Sequence, residues 1–203
     1  MRKAFHMDPL AEQIAALGRR LFDRRLLDIA GGNISARAGG RVFITPRYSG
    51  GRKHWQLVAG DIVSGPFATD DLLADPAFSR EGKVHLAIYR AFADAGAVIH
   101  AHAFHVLPFC AARRPIAPVL EQTHKFGVVE VVAEAQAHSD DLAEQVVAGL
   151  RGKEEIMRSQ AAAVLAPRHG IIVVGKDLLA VADALERIDW NAWCILAQRL
   201  LAP

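Results

Sequence analysis

The sequence predicts an α/β fold, and three observations carry that prediction. Helical apolar patterns interleave with short β-rich runs and a hairpin signal along the chain. A length of 203 residues suits one domain, and no repeat, low-complexity stretch or linker divides it, so a single domain over 1–203 is expected. Composition is that of a soluble globular chain, 52% apolar and 23% charged, enough to bury one substantial core.

The elements follow in order. Asp8-Pro9 caps a first helix with proline in its first turn, and Leu10, Ile14, Leu17 and Leu21 recur at helical spacing. Gly31-Gly32 is expected to end it. Strands at 33–37 and 41–45 flank Ala38-Gly39-Gly40, whose turn chemistry suits a hairpin. The loop PRYSGGRKHWQ leads to a strand around 61–63. Asp75-Pro76 opens a helix with its body at 82–93, ending near Gly96. A strand at 97–103 precedes a helix at 106–112 that Arg114-Pro115 stops. A β-branched run covers 128–133, and a helix covers 140–150. Strands at 161–165 and 171–174 flank Pro167-Arg168-His169-Gly170, and a long helix runs from about 176 to 201.

The balance of charge narrows the partners. Net charge is +2 with no dense Lys/Arg run, and Arg19-Arg20 with Arg24-Arg25 read as a solvated helix face, so no nucleic-acid partner is expected. Cys110 and Cys194 form neither a CxxC pair nor a disulfide framework, which fits a reducing compartment. The N-terminal MRKAFHMDPLAEQ lacks the apolar core of a secretory signal. No apolar run approaches the roughly 18 residues of a membrane span. A cytoplasmic enzyme with no membrane partner is therefore expected.

The chemistry concentrates in VIHAHAFH, residues 98–105. On a strand His100 and His102 share a face, so both imidazoles can approach one metal ion, while the alanines between face the core. The plainer alternative is a pair of core histidines satisfied by backbone or water. His105, three residues on, falls at the strand end and need not join them. Catalytic zinc takes three protein ligands and leaves a position open; His169, in the turn of RHGIIVVG, is the candidate third. Glu81, at the helix start in FSREGKVHLAIYR, is the candidate acid/base. It also fits an exposed carboxylate favoured by the helix dipole, or an i,i+4 pair with His85. Beside a divalent metal, such a carboxylate can take a proton from a carbon alpha to a polarised carbonyl.

Taken in order, GGNISAR (31–37), FITP (43–46), SREGKVHLAIYR (79–90), HAHAFH (100–105) and RHGIIVVG (168–175) resemble the class II aldolase/adducin family over residues 10–195. The resemblance implies a three-layer α/β/α fold with a central, mostly antiparallel sheet. It implies a homotetramer with active sites between neighbouring subunits. It makes His100, His102 and His169 the zinc ligands and Glu81 the acid/base. Gly32, Asn33, Thr45 and Ser79 become contacts to a substrate phosphate. The implied reaction is zinc-dependent aldol cleavage or formation of a C–C bond in a short ketose phosphate, through a metal-stabilised enediolate. Epimerases, decarboxylases and methylthioribulose-1-phosphate dehydratases share that chemistry. A non-catalytic scaffold of the adducin kind would lack these ligands, and a zinc hydrolase would not need the phosphate motifs.

Three positions depart from the family's pattern. Arg47-Tyr48 intervene in ITPRYSGG, so Ser49 and Gly50 are not carried over as phosphate contacts. Arg80 stands where a small polar residue is usual, and reads as a charged phosphate contact, a sign of a carboxylate-bearing substrate, or a solvated helix-start arginine. Near PVLEQTHKFG the aldolases carry a tyrosine that donates a proton across the subunit interface; the ungapped register offers Glu121 there, which also reads as an exposed loop carboxylate. A glutamate in this segment is what the related dehydratases use. Trp190 and Trp193 are candidates to reach the aldehyde end of the pocket, or plain core and interface residues.

Overall fold

A computed structural model describes residues 8–201. The segment 1–7, in which no secretory signal is expected, lies outside the described residues. Seven strands form one sheet: β1 Asn33–Ala38, β2 Arg41–Ile44, β3 Val63–Pro66, β4 Ala97–Ala101, β5 Glu130–Val131, β6 Ala161–Ala166 and β7 Gly170–Gly175. Their order is β3-β2-β1-β4-β7-β6-β5. Every neighbouring pair is antiparallel except β5 with β6.

The helices are α1 Pro9–Asp23, α2 Ser49–Lys53, α3 Gly82–Ala91, α4 Leu107–Ala112, α5 Asp140–Leu150, α6 Glu154–Ser159 and α7 Leu178–Leu201. They cover both faces of the sheet, as alternation along the strands requires. Ile99, Leu165, Ile171 and Val173 pack towards α1, α4 and α7. Val98, Val164, Ile172 and Val174 pack towards α3, α5 and α6. The architecture is the expected three-layer α/β/α arrangement around a mostly antiparallel sheet. Among the described residues no helix is long and apolar enough to cross a membrane.

Several boundaries differ from the sequence expectations. The first helix ends at Asp23, well before Gly31-Gly32. Arg25 takes the left-handed position (φ 59°), with Arg25 N–H donating to Phe22 O and Leu26 N–H to Leu21 O. That is a Schellman cap made without glycine, and it tucks Leu26 and Leu27 into the core. Asp75-Pro76 starts a turn rather than a helix: Asp75 Oδ1 accepts from Ala77 N–H at 2.8 Å, and α3 begins only at Gly82. The loop after β2 holds the short helix α2, and the strand expected near 61 begins at Val63. The 128–133 run is divided between partners, with Val129 bridged to Ile116 and only Glu130–Val131 in the sheet. The helix α6 went unseen in the sequence.

Candidate active site

Three chain segments meet at one end of the central strands. Register pairs Asn33 of β1 with His100 of β4, and His100 with Ile172 of β7, so the loop before β7 lies against the end of β4. His102 lies just past the end of β4, and His169 just before β7. Gly32 enters β1 at φ +100°, where a side chain would be strained.

The structure brings His100, His102 and His169 together. One ligand atom from each lies within 4.8 Å of the others, and ring centroids stand 4.7–5.6 Å apart. Their outer nitrogens are oriented for ligation. His100 Nδ1 donates to Ile171 O at 3.2 Å, and His102 Nδ1 faces both Asp28 carboxylate oxygens at 3.2 Å. With the proton held on Nδ1, the Nε2 lone pair faces the cluster. His102 Nε2 is buried with no protein partner. Burial first, and then the neighbouring imidazoles, holds His100 well below the ordinary histidine range. Burial lowers His169 as well, against the pull of the Glu81 carboxylate. Three converging imidazoles, one of them with an orphaned buried nitrogen, suit a divalent metal.

Glu81 is buried at the N-terminal end of α3 and lines the same cleft, of about 190 Å³. It pairs with neither its own helix end nor His85. His138 N–H donates to Glu81 Oε1 at 2.8 Å, and the His138 ring nitrogen Nδ1 contacts the same oxygen. His85 instead bonds Ser35 Oγ at 2.6 Å, and burial drives its pKa down to about 3.

Gly32, Asn33, Ser79 and Arg80 line this cleft too. Asn33 Nδ2 donates to Ser79 Oγ at 2.9 Å, while its Oδ1 is buried without a partner. Thr45 is not brought to the cleft: it is fully buried, and its Oγ1 accepts the Ile34 N–H at 3.1 Å. It braces β1 from behind. Glu121 lies elsewhere, exposed on a 3₁₀ turn over Glu121–Phe126. Asn191 Oδ1 holds that loop, accepting from Val119 N–H, Leu120 N–H and Thr123 Oγ1. His105 stays outside the histidine cluster, bound to Asp189 Oδ2 at 2.7 Å and flanked by Trp190 and Trp193, which do not line the cleft.

Two site residues escaped the sequence reading. Asp28 accepts from Ala30 N–H and Gly31 N–H at 2.9 and 2.8 Å, an Asx-type turn that the string Asp-Ile-Ala-Gly-Gly does signal. Burial opposes the charge on Asp28, but the His102 contact and these N–H groups hold its carboxyl below the usual range. His138 precedes the Ser139 cap of α5, and nothing in its local pattern points to Glu81.

The chain resembles known proteins over most of its length. The family model for the Class II Aldolase and Adducin N-terminal domain matches residues 12–196. The chain is 25% identical to an L-fuculose phosphate aldolase of Methanocaldococcus jannaschii, covering 94% of this chain and 97% of that one. It is 27% identical to a 3-oxo-tetronate 4-phosphate decarboxylase of Haemophilus influenzae, covering 89% and 84%. A methylthioribulose-1-phosphate dehydratase of Acidiphilium cryptum matches at 26%, covering 89% and 83%. In fold the chain superposes on an L-fuculose 1-phosphate aldolase with TM-score 0.82 at 22% identity, covering 98% of this chain and 92% of the other. With the family model spanning residues 12–196 and the fold superposing over nearly the whole length, this chain belongs to the class II aldolase and adducin family.

Proposed function

We propose that the protein is a zinc-dependent lyase of the class II aldolase type, cleaving or forming a C–C bond in a short ketose phosphate. The observation that carries this reading is the convergence of three imidazole donors within 4.8 Å in a cleft that also holds a buried carboxylate. His100, His102 and His169 would hold the ion, which when bound supplies Lewis-acid polarisation of the substrate carbonyl.

The chain's own residues do the rest. Glu81 moves the proton at the carbon next to the carbonyl. His138 fixes Glu81 through Oε1, and among the described residues Oε2 takes no hydrogen bond, which leaves that oxygen for the proton. Gly32, Asn33, Ser79 and Arg80 receive the phosphate, where a backbone turn and a helix start favour an anion. Glu121 acts from a neighbouring subunit of a homotetramer, since it does not line its own chain's cleft.

A dehydratase is the second reading, favoured by Glu121 where the aldolases have tyrosine. Relatives named as a dehydratase and a decarboxylase match about as well as those named as aldolases. The test is incubation of zinc-loaded protein with a panel of ketose 1- and 5-phosphates. Dihydroxyacetone phosphate as product supports an aldolase, an epimer a 4-epimerase, and loss of water a dehydratase. Glu81→Gln is expected to keep its metal and lose about 10²-fold or more in kcat. A protein that binds no divalent metal, or a Glu81→Gln variant as active as the parent, sinks the proposal.

A further inference from the structure

Arg47 and Tyr48, the pair that stands between ITP and the following Ser49-Gly50, line the cleft. The segment is built rather than loose. Arg47 N–H donates to Ala77 O at 2.8 Å, tying it to the turn that delivers Ser79 and Arg80. Tyr48 holds a left-handed φ of 65°, uncommon for a bulky residue. Arg52 N–H bonds Tyr48 O at 2.9 Å, and Ser49 Oγ donates to Pro46 O at 2.6 Å.

Three guanidinium groups surround the Tyr48 ring: Arg52 at 4.2 Å from its centroid, and Arg47 and Arg80 at 5.8 Å each. Among the described residues no carboxylate pairs with any of the three. The ring face offsets part of their mutual repulsion, but no protein anion neutralises them. A second observation points the same way. Asn33, 2% exposed, leaves Oδ1 partnerless in this cleft. Turning its amide over lets Ser79 O–H donate to Oδ1 and aims the Nδ2 donor into the cleft. Such a turn needs an acceptor there.

We propose that Arg47 is a specificity-determining residue: with Arg80, which lines the same cleft beside the same Tyr48 ring, it clamps a dianionic phosphate monoester in preference to a carboxylate. Two planar forks match the oxygens of a phosphate, and two positive charges match its dianion. A carboxylate neutralises only one of them. The inference rests on the phosphate end proposed above, and adds the residue that selects the charge of the head group.

The probe is inorganic phosphate, titrated against the zinc-loaded full chain, with acetate as the monoanionic comparison. The parent protein is expected to bind phosphate at least about tenfold more tightly than acetate. Arg47→Gln and Arg80→Gln should each weaken phosphate binding about tenfold or more, and Arg52→Gln, outside the cleft, about twofold or less. On a turned-over ketose phosphate, Arg47→Gln should raise KM about tenfold with kcat changed less than about threefold, a split that general loosening of the fold would not give. Arg47→Lys should recover part of the loss. Acetate bound as well as phosphate, or phosphate bound by Arg47→Gln as by the parent, overturns the clamp. Loss of phosphate binding in Arg47→Gln without lyase activity on any ketose phosphate removes the lyase reading and leaves the clamp. Lyase activity with phosphate binding indifferent to Arg47 does the reverse.

Discussion

At the scale of single residues, His102 shows how the site is set by groups behind it. Its Nδ1 faces Asp28, its Nε2 is buried without a protein partner, and the Asp28 carboxylate also caps the turn before β1. One carboxylate therefore fixes both a tautomer and a backbone. Partners of this kind orient a ligating imidazole and raise its basicity. Asp28→Ala is expected to weaken zinc binding by about 10- to 100-fold, measured by competition with a chromogenic chelator. Asp28→Asn keeps an oxygen for the Ala30 and Gly31 N–H groups, so the turn survives while the charge behind His102 is lost. It should fall between parent and Asp28→Ala. Equal affinity in all three proteins would show that Asp28 serves only the turn.

Among the elements, the meeting of β4 and β7 is the joint on which the cluster depends. At Gly170 an added Cβ would stand 2.4 Å from Ala101 O and 3.0 Å from both His100 Cε1 and His102 Cδ2. Gly170→Ala must push the strands apart or displace two of the three imidazoles. The expected cost is about 1–3 kcal/mol in chemical denaturation, with zinc affinity lowered alongside. A variant with parent-like stability and metal binding would show that the joint can yield. This element also shows what the sequence can carry. The HxH spacing is local, so His100 and His102 stand out from a short pattern, whereas the His-Gly turn is a weak signal and His169 joins them through the resemblance carried by the ordered motifs. The hairpin and α5 were legible for the same reason, since their turn and cap residues are local. The end of α1 was not, because Arg25 takes the place of the expected glycine and burial of Leu26 and Leu27 favours the turn. His138 was not, because its contact with Glu81 spans 57 residues and depends on how α5 lies against α3. Thr45 was placed on the right strand end, yet its hydroxyl serves the Ile34 backbone.

For the whole molecule, the sheet gathers three histidines and a glutamate from across the sequence but leaves Glu121 outside their cleft. The loop carrying Glu121 is nevertheless fixed, because Asn191 on α7 ties its backbone down. On α7 and just past β4, Phe104, Trp190 and Trp193 are 58%, 51% and 40% exposed around His105, large apolar side chains that association would cover. A carboxylate on a fixed loop outside its own cleft makes sense if it completes the cleft of a neighbour in the proposed homotetramer. Co-expression of Glu81→Gln and Glu121→Gln chains decides the matter. Each variant alone should be nearly inactive, while randomly mixed tetramers should recover about a quarter of the parent sites, those pairing an intact Glu81 with an intact Glu121 from the adjoining chain. Light scattering should give a tetramer for the parent and both variants. If mixed oligomers form but show no more activity than the separate variants, Glu121 does not complement Glu81 across the interface, and the shared-site arrangement is wrong.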